Sequence, residues 1–153
     1  MNNIFNEDFQ DFIRSFNEND VKYILVGGYS VIIYGYSRTT GDMDLWVEKS
    51  EENYIKIKNA FLDFGMSMFD MSKENFQSNT LDVFSFGKSP VRIDILTALK
   101  GLNFVESFKI AEFHQIDEIP VRVIHYNHLI ESKKAAGRNK DLDDVEQLEG
   151  KQE

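Results

Sequence analysis

The chain has no cysteine, which excludes disulfides, thiolate metal sites and thiol nucleophiles within it. Proline is nearly absent too: Pro90 and Pro120 are the only two in 153 residues, and no Pro/Gly/Ser-rich linker divides the sequence. One domain over 1–153 is therefore expected. No apolar run approaches the roughly 20 residues of a membrane span. The start, "MNNIFNEDFQDF", lacks the basic and continuous apolar regions of a signal peptide, so a soluble, cytoplasmic protein with no membrane partner is expected. Positive charge is scarce, with 17 Lys and Arg against 26 Asp and Glu and a net charge of −9. That balance argues against a broad nucleic-acid-binding surface, while leaving room for a local groove built from a few cations.

What is present is a globular composition. Apolar residues make up 42% and aromatics 13%, with 13 Phe, enough to bury a core. Ile4, Phe5, Phe9, Phe12, Ile13 and Phe16 recur at helical spacing and predict a first helix over 4–16, ended by "NEND". "VKYILV" (21–26) and "DMDLWVE" (42–48) read as strands. Between them, Gly27-Gly28 turns the chain into a short helix over 29–36. Ser50, followed by Glu51 and Glu52, starts a helix that stops at Gly65. "TLDVFSF" (80–86) and "VRIDILTA" (91–98), joined by "GKSP", predict a hairpin. A short helix near 103–108, strands "KIAEFHQI" and "IPVRVI", and a helical pair over 127–136 and 140–149 follow. Helices and strands mix without a strict βαβ rhythm, which indicates an α+β domain around a mixed sheet.

Three features carry chemistry. Side chains on a strand alternate, so Asp42 and Asp44 emerge on one face with Met43 on the other. Two adjacent carboxylates repel unless water, a proton or a cation relieves them, and a hard divalent ion suits oxygen ligands; two solvated acids at a strand start are the plainer alternative. Gly27-Gly28, between strand and helix, lets the backbone approach an oxyanion, with the Ser30 hydroxyl as a further donor. A tight turn without a ligand would use the same residues. Asp94 lies within an apolar strand and shares a face with Arg92 and Leu96. Since an unpaired buried carboxylate is costly, either Arg92 neutralises it or it joins Asp42 and Asp44 around metal. Phosphoryl transfer gives three such carboxylates a purpose.

Gly27-Gly28, thirteen intervening residues, Asp42-x-Asp44 and a later strand with a single Asp resemble the nucleotidyltransferase superfamily related to DNA polymerase β, over about 20–98. "YGYSRTTGDMDLWV" and "LIESKKAAGRNKDLDDVEQL" (129–148) are similar to small bacterial nucleotidyltransferase-like proteins, toxin-type (AbiEii-like) members among them. In that group an Arg-x-Thr precedes the Asp-x-Asp and a Lys…Ala-Gly-Arg…Lys-Asp-Leu segment closes the domain. The resemblance implies a polymerase β-like mixed sheet flanked by helices, with a C-terminal helical segment at about 127–149. It implies phosphate contacts from Gly27, Gly28 and Ser30, and ligation of Mg²⁺, or Mn²⁺ in its place, by Asp42, Asp44 and Asp94. Asp94 would also be the base for the incoming hydroxyl. Lys133 matches the lysine near the triphosphate, Arg138, Lys140 and Asp141 match the rest of the closing segment, and Arg38 and Thr39 match the Arg-x-Thr, with Thr40 and Gly41 making the turn. Tyr29 and Ser30 after the glycines, and Tyr34 where relatives often carry His, depart from the pattern and leave the helix after the glycines without an assigned role.

Lys133, Lys134, Arg138 and Lys140 read either as a phosphate-binding cluster or as a solvated helix end. Asp141, Asp143 and Asp144 read as N-terminal capping acids of the last helix. His114, His125 and His128 show no metal-ligand spacing and read as structural or surface residues, and Trp46 reads as core, with a base pocket as its alternative. The function implied is transfer of a nucleoside monophosphate from an NTP to a hydroxyl of a tRNA end, a protein or a small molecule. A toxin–antitoxin setting with a cognate antitoxin, or a homodimer, would complete the acceptor side. The alternative is a non-catalytic interaction or regulatory module on the same fold, against which three retained acids argue.

Overall fold

A computed structural model describes residues 3–68 and 70–152; the outer limits of the expected 1–153 domain lie outside the described residues. The element order is α1 (Glu7–Glu18), β1 (Tyr23–Val26), α2 (Gly27–Ile33), β2 (Asp42–Val47), α3 (Glu51–Phe64), α4 (Lys73–Gln77), β3 (Val83–Lys88), β4 (Val91–Leu96), α5 (Phe104–Ile110), β5 (Glu112–Ile116), β6 (Ile119–Val123), α6 (Tyr126–Ala136) and α7 (Asn139–Gln152). The six strands form one sheet in the order β3-β4-β2-β1-β6-β5. β2 runs parallel to β4 and β1 to β6, while the other neighbours are antiparallel. This is the mixed sheet and the α+β class expected.

Local chemistry explains most element ends. Asn6, Ser50 and Asn103 each accept a backbone N–H from the first turn of the helix that follows, satisfying a donor that helix geometry leaves free. α3 ends at Gly65 and α6 at Gly137, both in the left-handed region that glycine adopts cheaply. Several boundaries differ from expectation, with α1 over Glu7–Glu18 in place of 4–16 and α2 over Gly27–Ile33 in place of 29–36. Gly87 and Lys88 extend β3, so Ser89 and Pro90 alone make the hairpin turn. Lys109 and Ile110 are the last turn of α5, because Asn103 starts that helix far enough back to reach them, and β5 begins at Glu112. The short α4, capped by Ser72, was not anticipated; five residues are too few to show a helical period.

The sheet has two unlike faces. Met43, Leu45, Phe84, Phe86, Ile93 and Ile95 are paired in register on one of them, all buried. Helices α1 and α3 cover it: Phe61 packs edge-on against Phe86 at 4.8 Å between ring centroids and against Phe12 at 5.2 Å, and Phe16 meets Tyr23 at 5.8 Å. The other face carries Asp42, Asp44 and Trp46 on β2 beside Arg92, Asp94 and Leu96 on β4. Trp46 closes one end of that face against Phe104 of α5, at 5.2 Å, and is buried core. The aspartate end stays open.

Candidate active site

The register places the acids. Asp44 is paired directly with Asp94 across the parallel β2/β4 ladder, and Asp42 with Arg92. All four side chains therefore rise from the same face, and the carboxyls of Asp44 and Asp94 lie within hydrogen-bonding reach of each other. Burial, then the neighbouring charges of Asp94 and Asp42, push the Asp44 carboxyl up to about 7, with Lys133 pulling the other way. Arg92 lies against the cluster. Its Nε is 3.2 Å from Asp94 Oδ1 and 3.7 Å from Asp42 Oδ2, and its Nη2 donates to Ser85 Oγ at 3.2 Å. Asp94 is thus paired with Arg92, as one of its two readings has it, and it also abuts Asp44.

Gly27 is held in place by two requirements. Its φ is +70°, and a Cβ there would lie 2.0 Å from Asp44 Oδ2, so a side chain would occupy the space of the carboxylate. Gly28 receives the Arg38–Thr40 segment, which forms no turn, since a Cβ there would lie 2.4 Å from Thr40 Oγ1. Ser30 is fully buried and its hydroxyl donates to the Gly27 carbonyl at 2.6 Å, so it braces the glycine turn from below. The helix that had no assigned role anchors that turn. Tyr29 packs tilted against Phe5 and edge-on against Phe9 in the core, and the Tyr34 hydroxyl donates to the Ile124 carbonyl at 2.6 Å.

Opposite the acids stands a wall of cations, ordered by two acids of α7. Lys133 Nζ lies 3.2 Å from Asp141 Oδ1 and 3.0 Å from Asp144 Oδ2. Arg38 grips both oxygens of Asp144, at 2.9 and 3.0 Å, and Arg138 Nε donates to Asp141 at 2.7 Å. Both aspartate side chains are 1% exposed. The capping role expected for Asp141 and Asp144 is therefore replaced by ion pairing: three cations converge on them, and a capping acid would instead face its own helix N–H groups. Asp143 accepts the Tyr36 hydroxyl at 3.0 Å. Burial alone would raise Asp141, but the hydrogen bonds and charges of Arg138 and Lys133 hold its carboxyl below the ordinary value. The basic segment divides accordingly: Lys133 is buried, Lys134 pairs with Glu149 at the surface, and Arg138 is largely exposed.

Acids and cations face each other across a cleft of about 440 Å³ lined by Gly27, Gly28, Asp42, Asp44, Lys133 and Arg138, with the Arg38–Gly41 segment and Lys140 at its side. A smaller recess of about 140 Å³ shares Gly27, Asp44, Lys133 and Arg138 with it and continues between Leu96, Leu99 and Leu129. The donor set around Asp42, Asp44 and Asp94 is all carboxylate oxygen and carries more negative charge than Arg92 offsets, which suits a hard divalent cation. Among the described residues, however, no group of three His, Cys, Asp or Glu forms a ready metal cage. The histidines stay outside the cleft: His125 Nδ1 caps α6 by accepting the Asn127 N–H, and His114 packs edge-on against Tyr34. Sequence reasoning did not assign Arg92 to the cleft's acid cluster as a counterion to Asp42; its register opposite Asp42 was the missing information.

Comparison with known proteins assigns the chain to a family. A family model described as "Nucleotidyl transferase of unknown function (DUF2204)" matches residues 5–153. The chain belongs to that family. This nucleotidyl transferase also shares its fold with an inferred nucleotidyltransferase of Thermotoga maritima, at TM-score 0.61 and 13% identity, covering 94% of this chain and 91% of that one. It is likewise similar to the lincosamide antibiotic adenylyltransferase LnuA in its lincomycin-bound form, at TM-score 0.61 and 14% identity, covering 97% and 98% of the two chains. No curated protein matches the chain. No helix among the described residues is long and apolar enough to cross a membrane.

Proposed function

We propose that this nucleotidyl transferase moves a nucleoside monophosphate from an NTP to a hydroxyl acceptor, releasing pyrophosphate, with Mg²⁺ or Mn²⁺ as its metal. The observation that carries the reading is the cleft itself, with acids on one wall, oriented cations on the other and a side-chain-free turn between them. A metal-bound polyphosphate is complementary to both walls at once.

Asp42 and Asp44 would hold the metal, with Asp94 completing the set. When bound, the metal would neutralise phosphate charge as it builds up during transfer. Lys133 and Arg138, fixed by Asp141 and Asp144, would hold the phosphates that leave, and the Gly27-Gly28 backbone admits them close to the sheet. Arg38 and Thr39 support that wall. Asp94, largely buried beside Asp44 at the aspartate end of the face, would take the proton of the acceptor hydroxyl as that oxygen attacks the α-phosphorus and pyrophosphate departs. The acceptor is an RNA end, a protein side chain or a small molecule. A cognate antitoxin or a second copy is the partner that would cover this open side, in the cytoplasm.

The test has two parts. Titration of Mg²⁺ and each NTP into the wild type, Asp42→Ala and Asp94→Ala should show metal-dependent nucleotide binding only with the acids intact. Incubation with α-labelled NTPs and cell extract should then transfer label to RNA, protein or a small molecule. Wild-type protein that binds no NTP in the presence of metal would exclude the enzyme reading.

A further inference from the structure

The positions of Asp42, Asp94 and Arg92 show more than a site awaiting a metal. One guanidinium nitrogen faces an oxygen of each acid, 3.2 Å from Asp94 and 3.7 Å from Asp42. The same guanidinium is steadied by Ser85 of the neighbouring strand. This follows from strand geometry: Arg92 is two residues from Asp94 on β4 and directly opposite Asp42 on β2, so it cannot avoid both. The oxygens it faces are ones a divalent cation would need, and among the described residues no group of three acids is already placed to hold one. Its side chain is 46% exposed, so solvent reaches about half of it.

We infer that Arg92 is a displaceable counterion of the acid cluster, holding Asp42 and Asp94 together until a divalent cation takes their oxygens. It is a positioning residue. It lowers the repulsion among three crowded carboxylates in the metal-free protein, and metal must compete with it to bind. Removing it deletes both a competitor and a positive charge next to the metal position, and the two effects act in the same direction. The inference rests on the metal reading proposed above and goes beyond it by assigning the residue that regulates occupancy of that site.

The test uses Mn²⁺ alone, titrated into the full chain and followed by electron paramagnetic resonance of the free ion, for wild type, Arg92→Gln, Arg92→Lys and Asp44→Asn. Arg92→Gln should bind Mn²⁺ about tenfold more tightly than wild type, an estimate for one unit of charge at a partly solvated site. Arg92→Lys, which keeps the charge but loses the planar fork, should fall between them. Metal-free Arg92→Gln should melt below wild type, and saturating Mn²⁺ should close the gap. A purely structural arginine would lower melting with and without metal alike and leave affinity unchanged. Equal or weaker Mn²⁺ binding by Arg92→Gln overturns the inference while leaving the metal reading standing. Failure of every variant and of the wild type to bind Mn²⁺, even with NTP present, instead removes the metal reading beneath it.

Discussion

Arg38 and Asp144 lie 106 positions apart in the chain and meet through two parallel hydrogen bonds of 2.9 and 3.0 Å. That contact ties the segment before β2 to the last helix, and Lys133 shares the same carboxylate. The cation wall of the cleft is therefore assembled by long-range ion pairing at buried acids.

Breaking the network on one side should be costly. Asp144→Asn leaves the buried Lys133 and Arg38 with too little negative charge, and a loss of about 3–5 kcal/mol is expected for removing one partner of a buried pair. The double variant Asp144→Asn/Lys133→Met should recover part of that loss. Urea denaturation of the two variants beside wild type measures both effects.

Acid should loosen the same wall. Asp141 is held below its ordinary value in the folded chain, so folding is favoured more when it is ionised. Its contribution is fully present above the unfolded carboxyl pKa of roughly 3.9 and is lost as pH falls through the lower folded value. Unfolding free energy measured from pH 7 down to pH 3 should drop more steeply for wild type than for Asp141→Asn in the lowest part of that range. Parallel curves would show that Asp141 is not the linked group.

Gly27→Ala tests the fit of the turn to the acid. The added methyl would meet Asp44 Oδ2, and the backbone is at φ +70°. A stability loss of about 1–3 kcal/mol is expected from the strained backbone. Metal-dependent NTP binding should fall far more than this change in stability accounts for, because Asp44 must move. Calorimetric melting and NTP titration on the same sample separate the two losses.

Asp44→Asn should separate stability from activity. Asp44 is partly buried beside two like charges, so in the metal-free protein at neutral pH the amide should be as stable as the wild type, or more stable by about 1 kcal/mol. Nucleotidyl transfer should fall by about two orders of magnitude or more once a metal-holding carboxylate is lost. A variant that melts much lower than wild type would mean that Asp44 stabilises the fold and that the repulsion is already relieved.

The chain's own order of residues was enough for the strands, the glycine turn and the shared face of Asp42 and Asp44. Each is a local matter: strand alternation, left-handed backbone and apolar periodicity act over a few residues. Ser50 to Gly65 could be bounded from its cap and its stop for the same reason. The roles of Asp141 and Asp144 could not. A local reading makes them capping acids of α7, and only packing α7 against Lys133 and Arg38 buries them and turns them into ion-pair partners. Ser30 could be read as an exposed donor until the turn placed it beneath Gly27.

By itself, then, the sequence determined which residues can carry charge to one face of a sheet and where the backbone must be free of side chains. Tertiary structure decided what those charges face. Ladder register set Asp44 against Asp94 and Arg92 between Asp94 and Asp42, and the docking of α6 and α7 set the cations opposite. Alternation along a strand is intrinsic to the chain, whereas the energy of a charge depends on its distance to charges far away in sequence and on the water excluded between them.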